Sequence, residues 1–87
     1  MSEVIYSLRI KKSAVKALER IAKPDRVRIV HAIDRLKSEP AAGAALKGEF
    51  SGLRRLRVGS YRVVYEVRNN ELVVLVVRIG HRKDVYR

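Results

Sequence analysis

A chain of 87 residues, 47% hydrophobic and 33% charged, has room for one domain with one modest core. Lys and Arg number 20 against 9 Asp and Glu, and the resulting +11 calls for a polyanionic partner: nucleic acid, an anionic membrane surface or an acidic protein. The absence of cysteine excludes disulfides, thiolate metal sites and cysteine catalysis, and the only two histidines, His31 and His81, lie too far apart in sequence to suggest a zinc site.

Val4 to Ile10 reads as a first strand, with Val4, Tyr6 and Leu8 on one face. The opening stretch MSEVIYSLRIKK is broken by Glu3 and Arg9 and has no signal-peptide core. No apolar run approaches the ~20 residues that span a bilayer. Together these predict a cytoplasmic protein with no membrane partner. Ser13 is placed to cap a helix whose Ala14, Leu18 and Ile21 recur at i, i+4 and i+7. Lys23-Pro24-Asp25 ends it, and Pro24 can open a second helix. That helix, to about Ser38, carries Val27, Ile29, Val30, Ile33 and Leu36; Pro40 stops it. The short break between the helices predicts an antiparallel hairpin.

AAGAALKGEFSG is a small-residue connection, after which the period changes to two. Arg55 and Arg57 alternate with Leu56 and Val58, and Gly59-Ser60 is a tight turn. YRVVYEVR follows, with Tyr61, Val63, Tyr65 and Val67 on one face. Asn69-Asn70 predicts a type I′ hairpin. LVVLVVRI, apolar on both faces, predicts a strand covered on both sides. The order is β-α-α-β-β-β, an α+β fold of residues 1–87: one domain with the helix hairpin packed on an antiparallel sheet.

The chemistry is cationic. Between Phe50 and Tyr65 stand Arg54, Arg55, Arg57 and Arg62, with no Asp or Glu. A magnesium-dependent nuclease needs clustered carboxylates, and here they are scattered, so no metal or other cofactor is expected. Serine-nucleophile and phosphate-loop patterns are absent. Alternation puts Arg55 and Arg57 on one face, ~7 Å apart. Arg62 can lie across from them, and the end of the last strand brings His81, Arg82 and Tyr86 to the sheet edge. Arg54, Arg78 and Lys83 widen the basic surface available to RNA. Such a set can cleave RNA without metal: the 2′-hydroxyl attacks the adjacent phosphate, arginines stabilise the growing charge, and an imidazole or phenol moves the protons. Each residue also has an ordinary reading. Arg55 and Arg57 could be a solvated strand face, Arg62 could pair with Glu66, and Tyr86 could plug a sheet edge. Tyr61 and Tyr65 read as core, and His31 as structural.

The stretch LKGEFSGLRRLRVGSYRVVYEV with the closing VVRIGHRKDVYR resembles the RelE/ParE superfamily of toxins from type II toxin–antitoxin systems, closest to the RelE branch. The resemblance spans nearly the whole chain. It implies a ribosome-dependent endoribonuclease that cleaves mRNA in the A site and is held inactive by a cognate antitoxin. By position it implies that Arg55 and Arg57 are the basic pair of the second strand and that Arg62 contacts the scissile phosphate. Arg82 and Tyr86 match the arginine after the last strand and the C-terminal tyrosine. Arginines stand where the best-known member has lysines, and arginine is a poor general base, which shifts proton transfer towards His81 and Tyr86. The expected partners are the ribosome with its rRNA, mRNA, and an acidic antitoxin in a hetero-oligomer. Two alternatives are a ParE-like DNA gyrase inhibitor without nuclease activity and a non-catalytic nucleic-acid-binding module.

Overall fold

The computed structural model of the chain describes residues 4–81. Two helices pack on one face of a five-stranded mixed sheet. In chain order the elements are β1 (Ser7–Ile10), α1 (Lys12–Glu19), α2 (Lys23–Arg35), β2 (Ala44–Ala45), β3 (Leu53–Val58), β4 (Tyr61–Arg68) and β5 (Val73–His81), with a 3₁₀ turn at Gly48–Phe50 between β2 and β3. The sheet order is β1-β5-β4-β3-β2. The last four strands form an antiparallel meander, in which β3, β4 and β5 are the three expected strands and β2 lies within the stretch expected to be a connection, while β1 pairs parallel with β5 in a sheet expected to be antiparallel throughout. The helix hairpin carries the chain from one sheet edge to the other. The meander then returns β5 alongside β1, in the same direction. No helix of the described residues is long and apolar enough to cross a membrane.

Backbone pairing, rather than a side-chain cap, starts α1. Lys11 N–H donates to Val76 O at 3.0 Å, and Lys11 O accepts from Val15 N–H at 3.0 Å. The helix therefore begins at Lys12 with Lys11 as its cap residue, and Ser13 lies inside the first turn instead of capping it. Pro24 sits in the first turn of α2, where its missing N–H costs nothing. The helix ends at Arg35, and tighter turns carry the chain on: Ser38 N–H reaches Arg35 O at 3.2 Å. Of the apolar positions on α2, Ile29 and Ile33 are buried and so is Leu36 just past its end, whereas Val27 and Val30 are exposed.

These three join Ala14 and Ile21 from the α1 side, and Val63, Tyr65, Val74, Val76 and Ile79 from the sheet, to form the core. Tyr6, Leu8 and Ile10 pack against it from the β1 side. Gly59, at φ 60°, takes the first central position of the β3–β4 turn, where a two-residue hairpin needs a positive φ. The β4–β5 connection differs from the expected two-residue turn. It runs over four residues, and the positive φ falls on Leu72 (54°) instead of an asparagine. Contacts from the start of β1 hold this loop: Ser7 N–H donates to Leu72 O at 2.8 Å, and the Tyr6 hydroxyl donates to Asn69 Oδ1 at 2.6 Å.

An irregularity in β5 decides which side chains share a face. Tyr65 pairs with Val76, but Val64 pairs with Arg78, so Val77 is an extra residue. Without this β-bulge, Arg78 would stand opposite Val63 on the helix side and Ile79 would face away. With it, Ile79 enters the core, 4% exposed, and Arg78 turns to the other face.

Candidate nucleic-acid interface

The sheet face turned away from the helices carries the basic residues. On β3, the side chains of Leu53, Arg55 and Arg57 alternate with Arg54, Leu56 and Val58, and the last two of these pack on the core side. The register sets Arg57 directly opposite Arg62. One step along, Arg55 stands opposite buried Val64, and beyond Val64 stands Arg78 on β5. Directly opposed residues have Cβ atoms about 5 Å apart, and Arg55 and Arg78, two strands apart, are separated by roughly 10 Å. Four guanidinium groups thus converge on an area the size of a few phosphates. The Nε atoms of Arg55 and Arg62 lie out of contact with solvent, so the inner parts of both side chains are packed against the sheet. Directly opposed like charges, as at Arg57 and Arg62, destabilise a strand pair.

β5 adds no bulk beside Arg62, because the residue paired with it is Gly80. Next along, His81 pairs with Tyr61. Their rings meet edge to face, with centroids 5.9 Å apart and planes at 80°. Tyr61 lies on the core side of β4, so His81 is on the helix side at the end of the sheet, while Arg55, Arg57, Arg62 and Arg78 are on the opposite face. The expected convergence of imidazole and arginines on one surface is therefore not what the register builds. Arg82, Lys83 and Tyr86 lie outside the described residues.

Arg54, expected on the RNA-binding surface, instead ties down the loop before β2. Its Nε donates to Gly43 O at 2.9 Å and its Nη2 to Ala41 O at 3.2 Å. Arg62 was a candidate partner for Glu66, yet Glu66 accepts a hydrogen bond from Arg68. That bond, and the negative charge of Glu66 behind it, raise the Arg68 guanidinium above its ordinary value. His31 is exposed on α2 and is not part of the core.

Two features escaped the reading of the sequence. Tyr61 reads as core from its alternation with valines, but the register makes it the support of the His81 ring. Arg28 and Arg35 are spaced seven apart on α2, a spacing that could have marked them as one face. They line a groove of about 270 Å³ with Ala32, Ala42, Leu56, Arg57, Val58 and Gly59.

This architecture recurs among known proteins. A toxin–antitoxin complex of Mycobacterium tuberculosis, RelBE2, contains a chain that superposes with a TM-score of 0.83 at 28% identity, over 95% of this chain and 98% of that one. The archaeal RelE–RelB complex of Pyrococcus horikoshii gives 0.80 at 30% identity, covering 93% and 99%. In sequence, toxin RelG of Mycobacterium tuberculosis is 30% identical over 86 residues, covering 94% of this chain and 97% of the relative. Residues 8–86 match the family model described as the ParE toxin of type II toxin–antitoxin systems. With that match running through nearly all of a chain whose fold is also shared, the protein belongs to the RelE/ParE family of type II toxins.

Proposed function

We propose that the chain is a ribosome-dependent endoribonuclease that cleaves mRNA by attack of the 2′-hydroxyl on the adjacent phosphate, and that a cognate antitoxin holds it inactive. The observation that carries this reading is the arginine quartet of Arg55, Arg57, Arg62 and Arg78 on one sheet face. In the reaction, the 2′-oxygen forms a bond to phosphorus and the bond to the 5′-oxygen breaks. The products are a 2′,3′-cyclic phosphate and a 5′-hydroxyl end. The negative charge that grows on the phosphate oxygens meets guanidinium donors already in place, and each well-aimed donor contributes about 2.7–4 kcal/mol on the oxyanion-hole scale. Arg62, with only Gly80 beside it on β5, is assigned to the scissile phosphate. His81 is assigned to proton transfer at the rim, with Arg82 and Tyr86 as its partners in the chemistry. Arg54 is left to the loop it holds.

A quartet of permanently charged side chains lacks a strong base. Orientation of the mRNA by the ribosome supplies what is missing, since alignment alone is worth several kcal/mol. The relatives solved with RelB-type antitoxins support a cognate antitoxin here, and +11 suits an acidic one. The match to the ParE family model favours a second reading, a gyrase inhibitor that uses the same fold without cleavage.

The deciding experiment programs an intact ribosomal A site with mRNA that carries a single 2′-deoxy nucleotide 5′ to the cleavage position. Cleavage of unmodified mRNA and none at the deoxy position is expected. Equal cutting of both would show that water attacks. No cutting of either, together with loss of supercoiling by purified gyrase, would establish the second reading.

A further inference from the structure

β2 is only two residues long. Ala44 and Ala45 pair with Arg55 and Arg54, so from Arg55 towards the Gly59 turn the outer edge of β3 runs on with no strand beside it among the described residues. A two-residue turn makes the flanking residues, Val58 and Tyr61, a hydrogen-bonded pair. Alternation then directs the N–H and C=O of Leu56 and Val58 towards β4, and those of Arg57 towards the open edge.

That edge is one wall of the 270 Å³ groove. The other wall is α2, which presents Arg28, Ala32 and Arg35 at i, i+4 and i+7. Leu56 and Val58 supply an apolar floor, and the methyl side chains of Ala32 and Ala42 leave the groove open. Above it the Arg28 guanidinium comes within 3.6 Å of the place a side chain on Gly59 would take. The groove therefore combines an unfilled strand edge, an apolar floor and three cations at its rim.

We propose that this groove receives an extended acidic segment of the cognate antitoxin, added as a strand to the outer edge of β3 in line with β2. The inference rests on the toxin–antitoxin reading above and names where the partner sits. Main-chain bonds to Arg57 supply register, alternate apolar side chains meet Leu56 and Val58, and carboxylates meet Arg28, Arg35 and Arg57. The occupant is a peptide and not RNA. Asp25, 4.0 Å from Arg28, and Glu39, 3.3 Å from Arg35, interrupt the cations and repel a continuous phosphate chain. The groove also has no aromatic ring on which a base could stack. A strand bound here draws its carboxylates to Arg57 and so removes one member of the quartet from the substrate.

The test uses the complex with the antitoxin that co-purifies with the chain and neutralises its toxicity. Amide hydrogen exchange read by NMR should slow at least 10-fold at Arg57 when the complex forms. Ala32→Glu, which puts a carboxylate into the groove, should weaken antitoxin binding at least 10-fold while the free variant still cleaves mRNA at the wild-type rate. Arg35→Glu, on the exposed side of α2, should weaken binding to a similar degree and serves in its place should Ala32→Glu melt early. Unchanged exchange at Arg57, or unchanged affinity in the folded variants, overturns the proposal. So does a loss of ribosome binding with antitoxin binding intact, which would make the groove an RNA surface. Failure of the wild-type chain to cleave mRNA would defeat the nuclease reading alone, because exchange at Arg57 is read without it.

Discussion

The hydroxyl of Tyr65 donates to Pro40 O at 2.7 Å and accepts from Gly43 N–H at 2.8 Å, joining the centre of the sheet to the loop that leads into β2. Tyr65 is fully buried. A Cβ on Gly43 would stand 2.6 Å from Arg55 O and 2.7 Å from the Tyr65 hydroxyl, so only glycine lets the loop come this close. Tyr65→Phe should cost about 1–3 kcal/mol, the range for a buried polar group left without its partner. Gly43→Ala should also destabilise, by displacing β2 from β3. Urea denaturation of both variants checks this, and wild-type midpoints would show that the loop gains nothing from the tyrosine.

The opposed Arg57 and Arg62 predict a protein that is stabilised by anions. Inorganic phosphate or a short RNA should raise the melting temperature, because a ligand bound to the folded state alone shifts the equilibrium towards it. Added sodium chloride should reverse the RNA effect, with a log–log slope of about −0.7 per phosphate neutralised. Arg57→Ala should flatten that slope while changing stability in the absence of RNA by no more than ~0.5 kcal/mol, since Arg57 is exposed. Melting curves with and without RNA across a salt series measure both quantities.

His81 and Tyr61 predict a split between chemistry and positioning. His81→Ala should slow mRNA cleavage roughly 10²–10⁴-fold, as for loss of a general acid or base. Tyr61→Leu keeps the apolar bulk but removes the ring edge that orients the imidazole. It should lower the rate constant, with little change in binding to the ribosome. Single-turnover cleavage, with ribosome binding and thermal melting read alongside, distinguishes these outcomes from a general loss of fold.

Leu72 holds a left-handed conformation, at φ 54°, with its side chain 44% exposed. An L residue there bears a cost of roughly 1–2 kcal/mol that glycine avoids. The bond from Ser7 N–H uses the Leu72 carbonyl and survives substitution. Leu72→Gly should therefore raise stability by about 1 kcal/mol, read from chemical denaturation. A loss of similar size would mean that packing of the exposed leucine outweighs the backbone strain.

Both helices and the three long strands of the meander were legible because period and punctuation are local properties, whereas β2, two alanines within a small-residue connection, carries no period at all. Arg55 and Arg57 could be placed on one face by counting in twos, and Tyr65 could be assigned to the core from its valine neighbours. The parallel partnership of β1 with β5 was not legible, since nothing in the residues of a four-residue strand states which edge it joins. Nor was the end of β5. Counting in twos from Val74 and Val76 puts Arg78 in the core, and only the register against β4 shows that Val77 resets the count. Arg54 was misplaced for a different reason: an arginine bound to backbone carbonyls and one facing a phosphate look alike in sequence.

The bulge at Val77 makes β5 a strand whose meaning lies in its length. Substituting one valine for another hydrophobic residue between Val73 and Val77 alters packing at one place. Adding a single residue after Val77 would exchange inside for outside at every later position: Arg78 would turn inward, Ile79 would meet solvent, and His81 would pass to the other surface, whereas removing Val77 itself would pair Arg78 with Val64 in regular alternation and keep every later face. Directed libraries over this segment should thus accept many identities and the loss of Val77, but very few insertions. A display experiment that counts survivors of each kind would measure how sharply the strand is constrained by number instead of by chemistry.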